Sequence, residues 1–201
     1  MYMRSGLDAE PNYSNVSKSL LCKAGIGSRY WEVDLSGDLC KDATYAKRCR
    51  EYVRNMAHSE KEGMGLLLHG PHGSGKTGAA CRMLIEVIAR SVAQVFFMSA
   101  EDIDWYSRNR GETTPEGARV WDLLTRDAQF VVVDDLGAEE NAAWKAPAVE
   151  HVLSSRYNWK LPTYVTTNME PAELFKRCPR LGHLAQDTYI TIKVEGVSWR
   201  A

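Results

Sequence analysis

The sequence lacks the features that mark a membrane protein, an exported protein or a disulfide scaffold. It has no apolar stretch close to the ~20 residues that a membrane-spanning helix needs, and it does not begin with the basic-then-apolar pattern of a signal peptide. Its five cysteines are scattered, and no pair has the C-x-x-C spacing of a zinc or redox site. These absences predict a cytoplasmic protein with reduced thiols and no membrane partner.

The sequence also lacks an excess of either acidic or basic side chains. The 201 residues include 25 basic and 26 acidic side chains, which gives a formal net charge of -1. This balance argues against a protein that coats nucleic acid through bulk positive charge, although a local basic patch remains compatible with it. No internal repeat or low-complexity tract is present. The length fits one domain, with a core that needs neither disulfide nor metal.

The hydrophobic pattern predicts strands that alternate with helices, after a loose polar leader over residues 1–20. The predicted strands are 64–69, 94–98, 129–133, 163–167 and 189–195. The predicted helices are 43–57, 77–91, 100–128 with breaks near Gly111 and Pro115, 142–159, and a short one that begins at Pro171. Such alternation indicates βαβ units and a mainly parallel sheet, in which ligands bind beyond the carboxyl ends of the strands.

A complete phosphate-binding pattern, G-x-x-x-x-G-K-[ST], follows the first of these strands. Its residues are Gly70, Pro71, His72, Gly73, Ser74, Gly75, Lys76 and Thr77. Glycines let the backbone N–H groups turn toward a polyphosphate without a side-chain clash, and the helix that follows favours anions at its start. Lys76 would then place its charge at the β and γ phosphates, and the Thr77 hydroxyl would bind Mg²⁺. The alternative is an unspecialised glycine-rich turn.

Two adjacent acids end the apolar strand 129–133, and these are the carboxylates that a phosphate-loop site requires. Asp134 is predicted to hold Mg²⁺ through water, and Asp135 to orient or deprotonate the attacking water. The alternative for Asp135 is a capping role in the loop that continues with Leu136 and Gly137.

Asn168 follows the next predicted strand, after two threonines. Its neutral amide can donate to a γ-phosphate and accept from water, or it can cap the helix that begins near Pro171. The phosphate loop, the acid pair and Asn168 all follow strands, so we expect them to converge at one edge of the sheet.

Together these motifs, in this order and spacing, resemble the AAA+ ATPases. More narrowly, the chain is similar to the DnaC/IstB-like group of bacterial and phage helicase loaders and transposition helpers. The resemblance covers roughly residues 20–201, and besides the phosphate loop it is carried by AGIGSRYW (24–31), VDDLG (133–137), SSRY (154–157), LPTYVTTNM (161–169) and VEGVSWR (194–200). It implies a P-loop NTPase of the AAA+ type, α/β, with a central parallel five-stranded sheet flanked by helices. Residues 1–42 would form a leader and an adenine-proximal segment, and 43–201 a single ATPase core.

The resemblance also assigns roles to individual residues. Asp134 and Asp135 match the Walker B acids, and Asn168 matches sensor 1. The segment from Ile26 to Tyr30 would lie near the adenine, and Arg200 would be a sensor-2-like arginine. ATP and Mg²⁺ are the implied ligands, and a bacterial or phage-infected cell is the implied setting.

The chain departs from the family at its arginines. The family has two arginines four positions apart before the last strand; Arg180 matches the first, but Leu184 occupies the second position. The usual arginine finger is therefore absent, and Arg180 or Arg156 is the candidate substitute. The alternative is that both arginines form surface ion pairs and that hydrolysis is weak or needs a partner.

The function that the resemblance implies is ATP-dependent self-assembly on single-stranded DNA and a replicative helicase during DNA replication. The predicted helix 43–57 carries Lys47, Arg48, Arg50 and Arg54. This basic face is a candidate DNA contact, or simply a solvated face. A transposition helper on duplex DNA, a weakly hydrolysing nucleotide-dependent clamp and a small-molecule kinase are the alternatives.

Overall fold

A five-stranded sheet organises the molecule in the computed structural model, which describes residues 7, 9–33, 44–91, 93–109, 115–137 and 146–195. The strands are β1 Gly65–His69, β2 Val95–Ser99, β3 Phe130–Asp134, β4 Thr163–Thr167 and β5 Tyr189–Lys193. They lie in the order β2-β3-β4-β1-β5, and every neighbouring pair is parallel. The prediction of an α/β fold with a central parallel five-stranded sheet is confirmed.

Helices flank both faces of this sheet. They are α1 Lys18–Lys23, α2 Thr44–Arg54, α3 Met56–Glu62, α4 Lys76–Arg90, α5 Ala100–Asn109, α6 Pro115–Asp122, α7 Ala146–Asn158, α8 Pro171–Arg177 and α9 Pro179–Thr188. A π-helical turn, Leu123–Asp127, continues α6. Sequence patterns did not indicate α1 or α9, because both are short and begin without a long apolar period.

Two apolar cores lie on opposite faces of the sheet. Leu66 and Leu68 of β1 contribute to a core that includes residues of α2 and α4, whereas Leu67 contributes to a core that includes residues of α7, α8 and α9. This alternation follows from the period of two along a strand. Because both faces of β1, β3 and β4 are covered, these strands are buried throughout.

Two leucines of the N-terminal segment reach the first of these cores, whereas most of residues 9–20 are exposed, as a polar leader would be. Leu7 is 2% exposed and Leu21 is 4% exposed. The backbone N–H of Asn12 donates to the carbonyl oxygen of Ala89 at 2.7 Å. No sequence pattern predicted these contacts, because only a few isolated apolar side chains, without a period, anchor an otherwise polar stretch.

Of the four described cysteines, Cys49, Cys81 and Cys178 are buried free thiols and Cys22 is an exposed one. Among the helices that the structure describes, none has the length and apolar character needed to cross a bilayer.

Candidate functional site

The phosphate loop has the backbone that its glycines permit. Gly73 and Gly75 adopt φ values of 75° and 98°, which L side chains rarely reach. A side chain at Gly70 would clash with the carbonyl oxygen of Val194, which follows the neighbouring strand β5. Inside the loop, the Ser74 hydroxyl is buried and has no hydrogen-bond partner among the described residues. These features fit a loop that closes around a polar ligand.

Lys76 begins α4 and is 4% exposed. Its ammonium donates to the carbonyl oxygens of Gly70 at 3.0 Å and Pro71 at 2.8 Å, so it spans the loop. Burial lowers the pKa of Lys76, and the charges of Asp135 and Asp134 act in the opposite direction. A buried cation next to the backbone of a glycine-rich loop is suited to a polyphosphate.

Asp134 ends β3 beside this loop and is 6% exposed. The Thr77 hydroxyl donates to its Oδ2 at 3.2 Å, and the Thr166 hydroxyl donates to its Oδ1 at 2.6 Å. Burial raises the pKa of Asp134 to about 6, although both hydrogen bonds lower it. A carboxylate held in this way, with a hydroxyl oxygen next to it, supplies the hard oxygen ligands that Mg²⁺ prefers. Thr77 and Asp134 therefore fit the predicted metal site.

Asp135, in contrast, is exposed and adopts a left-handed backbone with φ 54°. Its N–H donates to the Thr166 hydroxyl at 2.9 Å. Aspartate tolerates this conformation better than most residues do, but it is still uncommon and needs support from its surroundings. The two acids of the pair thus have different environments: one is buried against hydroxyls, and the other is open to solvent.

Asn168 lies just beyond β4, which separates β3 from β1 in the sheet. Its amide nitrogen is buried and has no hydrogen-bond partner among the described residues. The alternative capping role is wrong, because Glu170 is the N-cap residue of α8 and no side chain caps that helix. An unpaired buried donor between the acids and the phosphate loop is suited to a ligand oxygen.

The segment predicted to lie near the adenine runs past the start of α4. Ile26 is 2% exposed, and its carbonyl oxygen accepts a hydrogen bond from the Trp31 indole at 2.9 Å. Val33 lies 3.5 Å from the position that a Cβ on Gly78 would occupy, one residue after the phosphate loop. Tyr30 is half-buried in the same segment. The N-terminal stretch therefore reaches the nucleotide side of the molecule.

The structure contradicts the prediction that Arg156 substitutes for the arginine finger or forms a surface ion pair. Arg156 is 0% exposed. Its guanidinium donates to the Thr163 hydroxyl and to the carbonyl oxygens of Leu124, Ala128, Gln129 and Pro162, at 2.8 to 3.2 Å. Burial lowers its pKa to about 9, so the group stays charged at neutral pH. These contacts lie at the amino ends of β3 and β4, away from the phosphate loop.

Arg180, by comparison, lies half-buried in the first turn of α9. Its Nε donates to the Ser154 hydroxyl at 2.9 Å, and its guanidinium lies 5.9 Å from the centre of the exposed Tyr157 ring. Leu184, at the position where the resemblance would put the second arginine, is 4% exposed and packs in the core that includes residues of α7. Arg200 lies outside the described residues.

The basic face of α2 is directed outward. Tyr45, Cys49 and Tyr52 are buried on the opposite side of the helix. Lys47, Arg48 and Arg54 are exposed, and Arg50 is half-buried. The face thus has the accessibility that a contact with a polyanion needs.

Thr166 is a residue of the site that the sequence patterns did not indicate. Thr166 is 0% exposed and bonds both acids of the Asp134-Asp135 pair. The string Thr-Thr-Asn at the end of a predicted strand was the available signal, but alternation alone does not say which threonine faces the acids.

This combination of a parallel sheet, a phosphate loop after β1 and a paired acid after β3 defines a P-loop protein of the AAA+ type. The pattern of the IstB-like ATP binding protein family matches residues 44–176, which is more than half of the chain. The chain belongs to this family and is an ATP-binding AAA+ protein of the DnaC/IstB-like type.

Several solved structures share this fold. The crystal structure of the DnaC helicase loader has a TM-score of 0.70 and 22% identity, covering 84% of this chain and 100% of that one. DnaI has a TM-score of 0.63 and 21% identity, covering 82% and 89%. The structure of the replication initiator DnaA bound to AMPPCP and single-stranded DNA has a TM-score of 0.62 and 16% identity. The match covers 84% of this chain and 50% of that one. At these identities the likeness shows a shared fold. No match was found among curated proteins.

Proposed function

We propose that this protein hydrolyses ATP and, in its ATP-bound form, self-assembles on single-stranded DNA and a replicative helicase. The observation that carries the proposal is the convergence of Lys76, Thr77, Asp134 and Asn168 at one edge of the sheet. The similarity to a helicase loader and to an initiator bound to single-stranded DNA supports the choice of partners.

Each residue of the site has a distinct task in this proposal. The loop amides and Lys76 bind the β and γ phosphates. Thr77 and Asp134 hold Mg²⁺, which neutralises phosphate charge when it is bound. Asp135, which is open to solvent, orients the attacking water, and the Asn168 amide donates to the γ-phosphate.

The segment Ile26–Tyr30 completes the site on the adenine side. In this segment the Ile26 carbonyl oxygen accepts a hydrogen bond from the Trp31 indole, and Val33, two residues beyond Trp31, lies beside Gly78 at the start of α4. An aromatic and aliphatic surface of this kind suits the flat, largely apolar face of a purine base.

A transposition helper that acts on duplex DNA is the second candidate, and the match to the IstB-like family favours it. The two functions share the ATP site and differ in partner and in DNA form. The decisive experiment mixes the protein, ATP and DNA with the replicative helicase or the transposase of the same cell, and measures co-sedimentation. ATP-dependent capture of the helicase on single strands supports our proposal, whereas capture of the transposase on duplex DNA replaces it.

Charge reversal on α2 should weaken DNA binding in the same assay. The variant Lys47→Glu/Arg54→Glu removes two exposed cations from one helix face. If both contact phosphates of a single strand, the slope of log K against log salt should fall in magnitude by about 1.4. The matched control is Lys23→Glu/Lys176→Glu, which makes the same charge change at two other exposed lysines. Equal slopes in variant and control would mean that α2 does not contact the DNA.

Arg180 is our candidate for the arginine that reaches the ATP of a neighbouring subunit. Its half-buried guanidinium sits next to the exposed Tyr157, at a surface that a second copy can approach. We expect Arg180→Ala to lower turnover in the assembled protein by roughly 10³-fold, the lower end of what an arginine finger contributes. Arg177→Ala, which removes an exposed arginine bonded to Glu173, is the control.

Mixing variants distinguishes action in trans from action within one chain. Arg180→Ala subunits bind ATP but lack the arginine, and Lys76→Ala subunits lack ATP but keep the arginine. We expect the mixture to recover turnover that neither variant has alone. An equal loss in verified monomers, or no recovery on mixing, would contradict the role in trans.

A further inference from the structure

Thr166 occupies a position that connects the two functional acids. Its side chain is fully buried on β4, the strand between the one that ends at Asp134 and the one that leads to the phosphate loop. Its hydroxyl donates to Asp134 Oδ1 at 2.6 Å and accepts from the N–H of Asp135 at 2.9 Å. One hydroxyl group therefore contacts both consecutive acids.

The direction of these two bonds is determined by chemistry. A hydroxyl has a single proton and two lone pairs, and a backbone N–H can only donate. Since the Asp135 N–H must be the donor in its bond, the Thr166 proton is free to go to the Asp134 carboxylate, which can only accept when ionised. The arrangement is complete only with a hydroxyl: a methyl group of the same size can make neither bond.

The first consequence concerns the Asp134 carboxylate. With Oδ1 bound by Thr166, Oδ2 is the oxygen that faces Thr77, at 3.2 Å from its hydroxyl. The proposed metal site uses this side of the carboxylate. Groups that orient a metal ligand in this way typically change metal affinity or activity by ~10–100-fold when they are removed.

The second consequence concerns Asp135, whose left-handed backbone (φ 54°) needs local support. The bond from its N–H to Thr166 supplies part of that support. Further bonds join the same segments: the Leu136 N–H donates to the Thr166 carbonyl oxygen at 2.9 Å, and the Thr167 hydroxyl donates to the Leu136 carbonyl oxygen at 2.7 Å. The end of β4 and the loop after β3 are thus held together by several hydrogen bonds.

We propose that Thr166 is a positioning residue that orients Asp134 toward the metal and holds Asp135 in its left-handed conformation, so that β4 and the acid pair move as one unit. This inference rests on the proposed ATPase function. Thr166 touches neither the nucleotide nor the reacting water in this proposal. Because Asn168 lies two residues after Thr166, just beyond the end of β4, contact between its amide and a γ-phosphate would be transmitted to both acids through Thr166.

The test compares Thr166→Val, which keeps the shape and removes the hydroxyl, with Thr166→Ser, which keeps the hydroxyl. A matched control is Thr125→Val, because Thr125 is also buried and its hydroxyl donates only to the Trp121 carbonyl oxygen in a helix. Two quantities are measured for each: the affinity for a fluorescent ATP analogue in EDTA and during a Mg²⁺ titration, and steady-state turnover.

We expect Thr166→Val to bind the analogue in EDTA within about twofold of the wild type, since the phosphate loop is intact. The Mg²⁺ concentration that gives the half-maximal change in affinity for the analogue should rise by roughly 10-fold or more. The kcat should fall by ~10–100-fold. Thr166→Ser should restore both values to within a few-fold, and Thr125→Val should change neither. If Thr166→Val does not fold, as judged by circular dichroism, Thr166→Ala makes the same test with less steric disturbance.

Several results would overturn the proposal. An unchanged Mg²⁺ requirement and kcat in Thr166→Val would show that the hydroxyl does not position the acids. Failure of serine to restore them would assign the effect to packing. Failure of the wild type itself to bind the analogue is a different result: it would overturn the proposed function, and the role of Thr166 with it.

Discussion

Replacement of Lys76 by alanine should weaken ATP binding by roughly 100-fold, which corresponds to about 2.7 kcal/mol, and should abolish measurable turnover. The reason is that Lys76 is the buried cation of the phosphate loop and spans it through the carbonyl oxygens of Gly70 and Pro71. Isothermal titration calorimetry with ATP and a phosphate-release assay measure the two effects. Lys176→Ala, at an exposed lysine of α8, is the charge-matched control.

The same assays decide between an ATPase and a nucleotide-dependent clamp. Asp135→Asn keeps the size of an exposed side chain next to the site and removes its negative charge. We expect it to bind ATP normally and to lose turnover by ~10²–10⁴-fold, the range for a general base. A wild-type protein that binds ATP but does not hydrolyse it, with or without single-stranded DNA, would favour the clamp. Wild-type ATP affinity in Lys76→Ala would contradict the phosphate-loop assignment.

Replacement of Arg156 by methionine should cost about 3–5 kcal/mol of the free energy of unfolding. Methionine fills much of the volume but removes the guanidinium donors from the Thr163 hydroxyl and from four backbone carbonyl oxygens, of which that of Pro162 keeps a backbone donor, the Val131 N–H at 3.4 Å. In a buried ion pair both partners can be replaced by apolar side chains. The acceptors here are backbone carbonyl groups, which no substitution can remove. Thermal unfolding should show a fall in Tm of roughly 10 °C for a protein of this size.

Two comparisons separate this role from a general loss of charge. Arg156→Lys restores a cation with fewer donors and should recover part of the stability. Arg177→Met removes an exposed arginine and should change the free energy of unfolding by less than about 1 kcal/mol. An Arg156→Met variant as stable as Arg177→Met would mean that water molecules replace the guanidinium as donors to the carbonyl oxygens. The buried guanidinium would then not be required for stability.

Much of the fold could be predicted because its signals are local. All five predicted strands are present, and their observed bounds differ from the predicted ones by at most two residues. The predicted helix 43–57 is instead two helices separated at Asn55, and the predicted 100–128 helix includes a π-helical turn. Such interruptions depend on tertiary contacts that a periodic pattern does not record.

The candidate site was partly predictable for the same reason. The phosphate loop and the Asp134-Asp135 pair are contiguous strings whose chemistry is evident from residue type. Arginines are different, since the same residue type serves as a finger, a surface ion pair or a buried anchor. For Arg156 the choice depended on burial and on carbonyl groups from two separate segments, one before β3 and one before β4.

The amino-acid sequence by itself therefore determined the class of fold, the phosphate loop and the acids that accompany it, because these follow from periodicity and from short motifs. Tertiary structure alone decided the strand order that places β4 between the acids and the loop, the burial of Arg156, Leu7 and Leu21, and the contact of Thr166 with both acids. The physical reason is that desolvation and hydrogen bonding between distant segments depend on which surfaces meet, and no local pattern specifies that.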